Sequence, residues 1–129
     1  MLELFEEYTY DLTDYEREKL LPLFIQAFQK KVGVQNAVTN SSIVKKLKGQ
    51  YIISDARVRK IINFIRTRNI VPGLMASSKG YYISKDSNEI QKYIRSLQGR
   101  EQAIRQVTKA MQEYLLTINN NHGNNNDTN

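Results

Sequence analysis

Ser54-Asp-Ala-Arg-Val-Arg-Lys-Ile-Ile-Asn-Phe-Ile-Arg-Thr67 is the stretch that decides the fold. Val58, Ile61, Ile62 and Ile65 recur at i, i+3, i+4 and i+7, a spacing that gives a helix one apolar face. Ser54 stands where an N-cap side chain accepts from the first unpaired N–H groups, so the pattern predicts a helix from Ser54 to about Arg68. With each residue turned by about 100°, the opposite face carries Ala56, Arg59, Lys60, Asn63 and Thr67, flanked by Arg57 and Arg66. That face is cationic and amidic, starts on a small residue and holds no acid.

Toward the C-terminus the period changes. Leu74-Met-Ala-Ser77 and Tyr81-Tyr-Ile-Ser84 read as two short strands around Ser78-Lys79-Gly80. Gly80 supplies the positive φ of a tight hairpin, and Tyr81 and Ile83 share one face. Pro72-Gly73 fits a turn. Asp86-Ser-Asn-Glu89 is a capping-box signature that opens a helix to about Ile118. Within it Ile90, Leu97, Ile104, Met111 and Ile118 fall at intervals of seven, beside a mixed seam of Ile94, Glu101, Thr108 and Leu115. Tyr93, Val107 and Tyr114 widen the stripe. A helix of this length spans about 48 Å, so it is expected to bend, at Gly99, or to pack on another chain. The asparagine-rich residues 119–129 read as disordered.

Toward the N-terminus, Thr39 and Asn40 start a short helix that turns Ile43, Val44 and Leu47 inward and Lys45, Lys46 and Lys48 outward. Gly49 closes it, and Tyr51 or Ile53 anchors the connector. Thr13-Asp-Tyr-Glu16 is another capping box, followed by one apolar stripe of Leu20, Leu21, Phe24, Ile25 and Phe28. Pro22 is expected to kink this helix, and Gly33 to end it as a left-handed C-cap. Residues 1–12 read as an acidic arm. The expected layout is that arm, a domain over 13–85, a helix over 86–118 and the tail.

Length and composition bound the chemistry. The 129 residues suit one small domain, and 40% hydrophobic residues suffice for a core. There is no cysteine, which excludes disulfides, zinc–cysteine sites and a thiol nucleophile. The single histidine, His122, lies in the tail, so catalytic triads and histidine metal sites are excluded too. No cofactor or metal site and no enzymatic activity are expected. No apolar run approaches the ~18 residues of a membrane span, and the acidic start argues against a secretory signal. The reading is a cytoplasmic protein with no membrane partner.

The net charge of +6 is unevenly placed. Residues 1–18 hold seven acids (Glu3, Glu6, Glu7, Asp11, Asp14, Glu16, Glu18) against Arg17. Residues 30–85 hold twelve Lys or Arg against Asp55 alone. Basic charge concentrated in mid-chain is a cue for a polyanionic partner.

Three helices, a hairpin with a basic tip and a capped helix are the plan of a winged helix-turn-helix, mainly α with a small β-hairpin. Double-stranded DNA is the expected partner. An α-helix fits its major groove, where Arg pairs with guanine and Asn with adenine. Arg59 and Asn63, one turn apart, are candidates for base edges. Arg57, Lys60 and Arg66 are candidates for phosphates, with Thr67 on the same face. Ser54 and the N–H groups after it offer a further phosphate site, and Ser77, Ser78 and Lys79 form the hairpin tip. Lys45 and Lys46 are either backbone contacts or ordinary solubilising lysines. A homodimer is expected through Ile90, Ile94, Leu97, Ile104, Met111 and Leu115. The alternative is a protein-interaction module that works through this last helix without DNA.

Residues 13–116 also resemble small winged-helix proteins encoded by phages, prophages and mobile elements of Bacteroides-like bacteria. The likeness rests on Leu12-Thr-Asp-Tyr-Glu-Arg17, Ile53-Ser-Asp-Ala-Arg-Val-Arg-Lys-Ile-Ile62, Ala76-Ser-Ser-Lys-Gly-Tyr-Tyr-Ile83 and Tyr93-Ile-Arg-Ser-Leu97. It implies the fold and DNA binding, in a bacterial host, as a regulator or replication accessory. The acidic arm and the tail lie outside it.

Overall fold

The first helix begins with the expected reciprocal cap. The Thr13 N–H donates to Glu16 Oε1 at 2.8 Å and the Glu16 N–H donates to Thr13 Oγ1 at 3.2 Å, which satisfies two backbone donors at once. The structure, a computed structural model, describes residues 11–127, so the first ten residues of the expected arm lie outside the described residues. Leu12 belongs to the core at 6% exposure and not to an arm.

The chain next makes a π-helical turn, Glu16–Leu20, and continues as α1, Leu21–Phe28. In the turn the Leu21 N–H reaches back five residues to the Glu16 carbonyl. Pro22 follows this turn directly, inside a run that is helical from Asp14 to Phe28, so its missing N–H falls beside a local change in the hydrogen-bond ladder. A local widening of the helix stands where a kink was expected. Leu20, Phe24 and Phe28 are buried along the apolar stripe.

Helix α1 ends at Phe28, short of Gly33. Gly33 has φ +86°, but it serves a strand-like segment and not a helix cap. Along this segment the Ile83 N–H donates to the Lys31 carbonyl at 2.7 Å and the Gly33 N–H to the Ile83 carbonyl at 2.9 Å. Beyond a 3₁₀ turn at Val34–Asn36, Val38 and Tyr81 exchange N–H···O bonds of 3.1 and 2.8 Å. Sequence spacing marks only a helix end near Lys31 to Gly33 and no pairing for the residues that follow.

Two helices follow. Thr39 caps α2 (Asn40–Leu47) by accepting from the Ser42 N–H, and Ser54 caps α3 (Asp55–Thr67) by accepting from the Arg57 N–H at 3.1 Å. Val58, Ile61, Ile62 and Ile65 of α3 are buried to 1% exposure or less, as their spacing requires. Ile43, Val44, Leu47, Tyr51 and Ile53 pack around the same core.

Strands β1 (Leu74–Ser77) and β2 (Gly80–Ile83) pair antiparallel, with Leu74 opposite Ile83 and Ser77 opposite Gly80. A Cβ on Gly80 would lie 2.5 Å from the Val38 carbonyl oxygen, and its φ is +118°. Glycine is thus required twice over, by conformation and by the approach of segment 31–38.

The last helix, α4, runs from Ser87 to Asp127. Asp86 begins it by accepting from the Asn88 N–H at 2.9 Å. The expected second capping box does not form, because Glu89 turns to accept from the Tyr82 hydroxyl at 3.0 Å. No break occurs at Gly99, and the backbone stays helical through 119–127, where disorder was expected. No proline interrupts that run. The molecule divides into two compact units between Ile90 and Gln91. The architecture is mainly helical, with a small two-stranded antiparallel sheet and a long C-terminal helix.

Candidate nucleic-acid interface

Asn40, at the first position of α2, ties three elements together. Its Nδ2 donates to Asp55 at the start of α3, to the carboxylate at 3.0 Å and to the carbonyl at 3.3 Å. Its Oδ1 accepts from the Tyr81 hydroxyl of β2 at 3.3 Å. The N-termini of α2 and α3 are thereby fixed beside the hairpin. The sequence marks Asn40 as a helix start only, and nothing in it points to these two long-range partners.

The hairpin tip is built by its own side chains. Ser77 Oγ donates to the Gly80 carbonyl and accepts from the Lys79 N–H, at 3.0 and 3.1 Å. Ser77, Ser78 and Lys79 are exposed, as are Lys45 and Lys46 on α2. Ser54 is exposed with its Oγ accepting from the Arg57 N–H, and Asp55 already places a negative charge at that helix end.

The outward face of α3 differs from the sequence expectation. Ala56 and Thr67 are exposed and Arg59 is half-buried. Asn63 is buried at 8% exposure, and its Oδ1 accepts from Arg66 at 3.3 Å. It is packed away from any base edge. Thr67 Oγ1 donates back to the Asn63 carbonyl at 2.8 Å.

Arg57 and Lys60 are committed to the protein. Arg57 Nε donates to Glu16 Oε2 and Lys60 Nζ to Glu16 Oε1, both at 2.8 Å. Arg57 also donates to the Ile52 carbonyl at 2.9 Å and lies over the Tyr15 ring. The Glu16 side chain is 3% exposed. Burial by itself raises its pKa. Donation from Lys60, the Thr13 N–H and Arg57 outweighs that and holds the carboxyl at about 2. In the sequence the capping box alone accounts for Glu16, and no local signal marks the two cations more than forty residues away that it also holds.

Comparison with protein-family models, curated proteins and solved structures finds no match.

On α4, Ile90 is half-buried, and Ile94, Leu97, Ile104, Met111 and Leu115 are exposed by 38–62%. Val107, Tyr114 and Leu116 add to this apolar surface. Among the described residues no cluster of His, Cys, Asp or Glu suits a metal ion. No helix among them is long and apolar enough to cross a membrane.

Proposed function

We propose that residues 13–85 form a winged helix-turn-helix module that binds double-stranded DNA, with α3 as the groove helix and the β1–β2 turn as the wing. The observation that carries this reading is the bonding of segment 31–38 to the outer edge of β2. With that segment bridged to β2 between the first two helices, the chain order is compatible with this plan. Asn40 then holds the two helix N-termini beside the wing.

Phosphate contacts fall to Lys45, Lys46 and Lys79, with Ser77 and Ser78 beside them. Base readout falls to Arg59, next to the small, exposed Ala56. Because Glu16 holds Arg57 and Lys60 and because Asn63 is buried, sequence discrimination is modest and backbone contacts dominate affinity. Affinity then falls steeply with salt as neutralised phosphates release counterions. Two copies join through the exposed apolar row of α4. The protein serves as a regulator or replication accessory of a phage or mobile element in the cytoplasm of a bacterial host.

Fluorescence anisotropy with a random duplex library at two salt concentrations tests this. Lys79→Ala weakens all sequences alike and reduces the salt slope by about one. Arg59→Ala lowers discrimination among sequences by about 1–3 kcal/mol. Binding insensitive to both substitutions sinks the reading. The exposed row from Ile94 to Leu116 favours a second reading, a protein-interaction module without DNA affinity. Its signature is association with no duplex binding near physiological salt.

A further inference from the structure

A groove of about 350 Å³ opens between α1 and α2. Its apolar lining comes from Leu23, Phe24, Ala27, Val38, Ile43 and Leu47. Lys30, Lys31 and Lys46 stand along it, and no acid among the described residues lines it. An apolar trough beside cations of one sign selects a segment that carries both apolar and acidic side chains.

We propose that this groove is the docking site of the chain's own first ten residues, Met1–Tyr10. That segment has the complementary composition: Leu2, Leu4, Phe5 and Tyr8 interleaved with Glu3, Glu6 and Glu7, and no base. The tether is long enough. From Thr13, where the helix is capped, Leu23 and Ala27 lie about 15 and 21 Å along the helical rise, whereas Phe5 and Leu2 can extend about 20 and 30 Å from Asp11. Leu2 to Phe5 can therefore lie over the groove while Leu12 stays in the core. The three acids then meet Lys30, Lys31 and Lys46. The proposal does not depend on DNA binding and is tested without nucleic acid.

The chain has no cysteine, so a single spin label can be placed cleanly at Thr9→Cys. Methyl resonances of Leu23, Ile43 and Leu47 in the full chain are followed with the label oxidised and then reduced. Docking predicts strong broadening at these three residues that is unchanged on dilution. Reversing the acids by Glu3→Lys, Glu6→Lys and Glu7→Lys in the same chain weakens docking about tenfold, by the sum of several small exposed ion-pair effects. Absence of broadening overturns the proposal, as does broadening indifferent to the charge reversal. A third sample mixes spin-labelled chain with isotope-labelled chain that carries no spin. Broadening of comparable strength in that mixture assigns the groove to a second copy and also overturns the proposal.

Discussion

Helices α3 and α4 carry the same sequence signal and meet opposite fates. In α3 the apolar residues at helical spacing, Val58, Ile61, Ile62 and Ile65, are exposed by 1% or less. In α4 an equally regular row, including Ile94, Leu97, Ile104 and Met111, is exposed by 38–62%. Periodicity reports that a helix has an apolar face; it does not report what covers that face. For α3 the cover is within the chain, and the core of residues 12–83 supplies it. For the row on α4 the proposed cover is another molecule.

The largest effect expected from this contrast is on the core. Ile61→Ala leaves a cavity in a site with no exposure and destabilises the fold by about 4 kcal/mol. Ile104→Ala, at 49% exposure, leaves the urea midpoint of the same fold in place and, under the proposed pairing of two copies, instead weakens self-association, read by analytical ultracentrifugation. Equal shifts in urea midpoint for the two variants would erase the distinction between the helices.

A similar contrast holds for charge. Glu16 is buried between Arg57 and Lys60, so Glu16→Gln leaves two half-buried cations without their counter-charge and destabilises by about 3 kcal/mol. The pH dependence has a fixed sign. The carboxyl titrates near 4.5 when unfolded and near 2 when folded. Its contribution is therefore complete above about pH 5 and is lost as pH falls toward 2, by about 3 kcal/mol in total. Denaturant unfolding from pH 6 down to pH 2.5 measures this loss. In Glu16→Gln the same curve is flatter. A parallel curve for the variant would detach the acid sensitivity from Glu16.

Much of the fold was legible because its signals are local. The hairpin at Leu74–Ile83, the caps at Thr13 and Ser54 and the buried face of α3 follow from spacing and from single residues with definite backbone roles. Segment 31–38 escaped because its pairing with β2 is through main-chain groups and is interrupted by a 3₁₀ turn, so Val32, Val34 and Val38 never line up as one strand. The site was less legible than the fold. A helical wheel sorts residues by angle and is blind to other elements, so it placed Asn63 outward where the folded chain buries it. It also left Arg57 and Lys60 free, because Glu16 is more than forty residues away in sequence. Exposed positions such as Lys45 and Lys79 were read correctly as exposed because nothing long-range intervenes there.

The smallest effect sharpens the contrast between the two units most. Glu101 and Arg105 of α4 form an i,i+4 ion pair at 3.3 Å with side chains 64% and 80% exposed. Water and salt screen such a pair, and it contributes about 0.3 kcal/mol. Glu101→Gln is thus expected to leave both thermal unfolding and its pH dependence within error of the parent, where Glu16→Gln alters both. The two substitutions remove the same charge by the same isosteric change, so any difference belongs to the surroundings. A loss at Glu101 comparable with that at Glu16 would mean that this stretch of α4 is covered in solution. Its dependence on protein concentration would then identify the cover, because a second copy is lost on dilution and an intrachain contact is not.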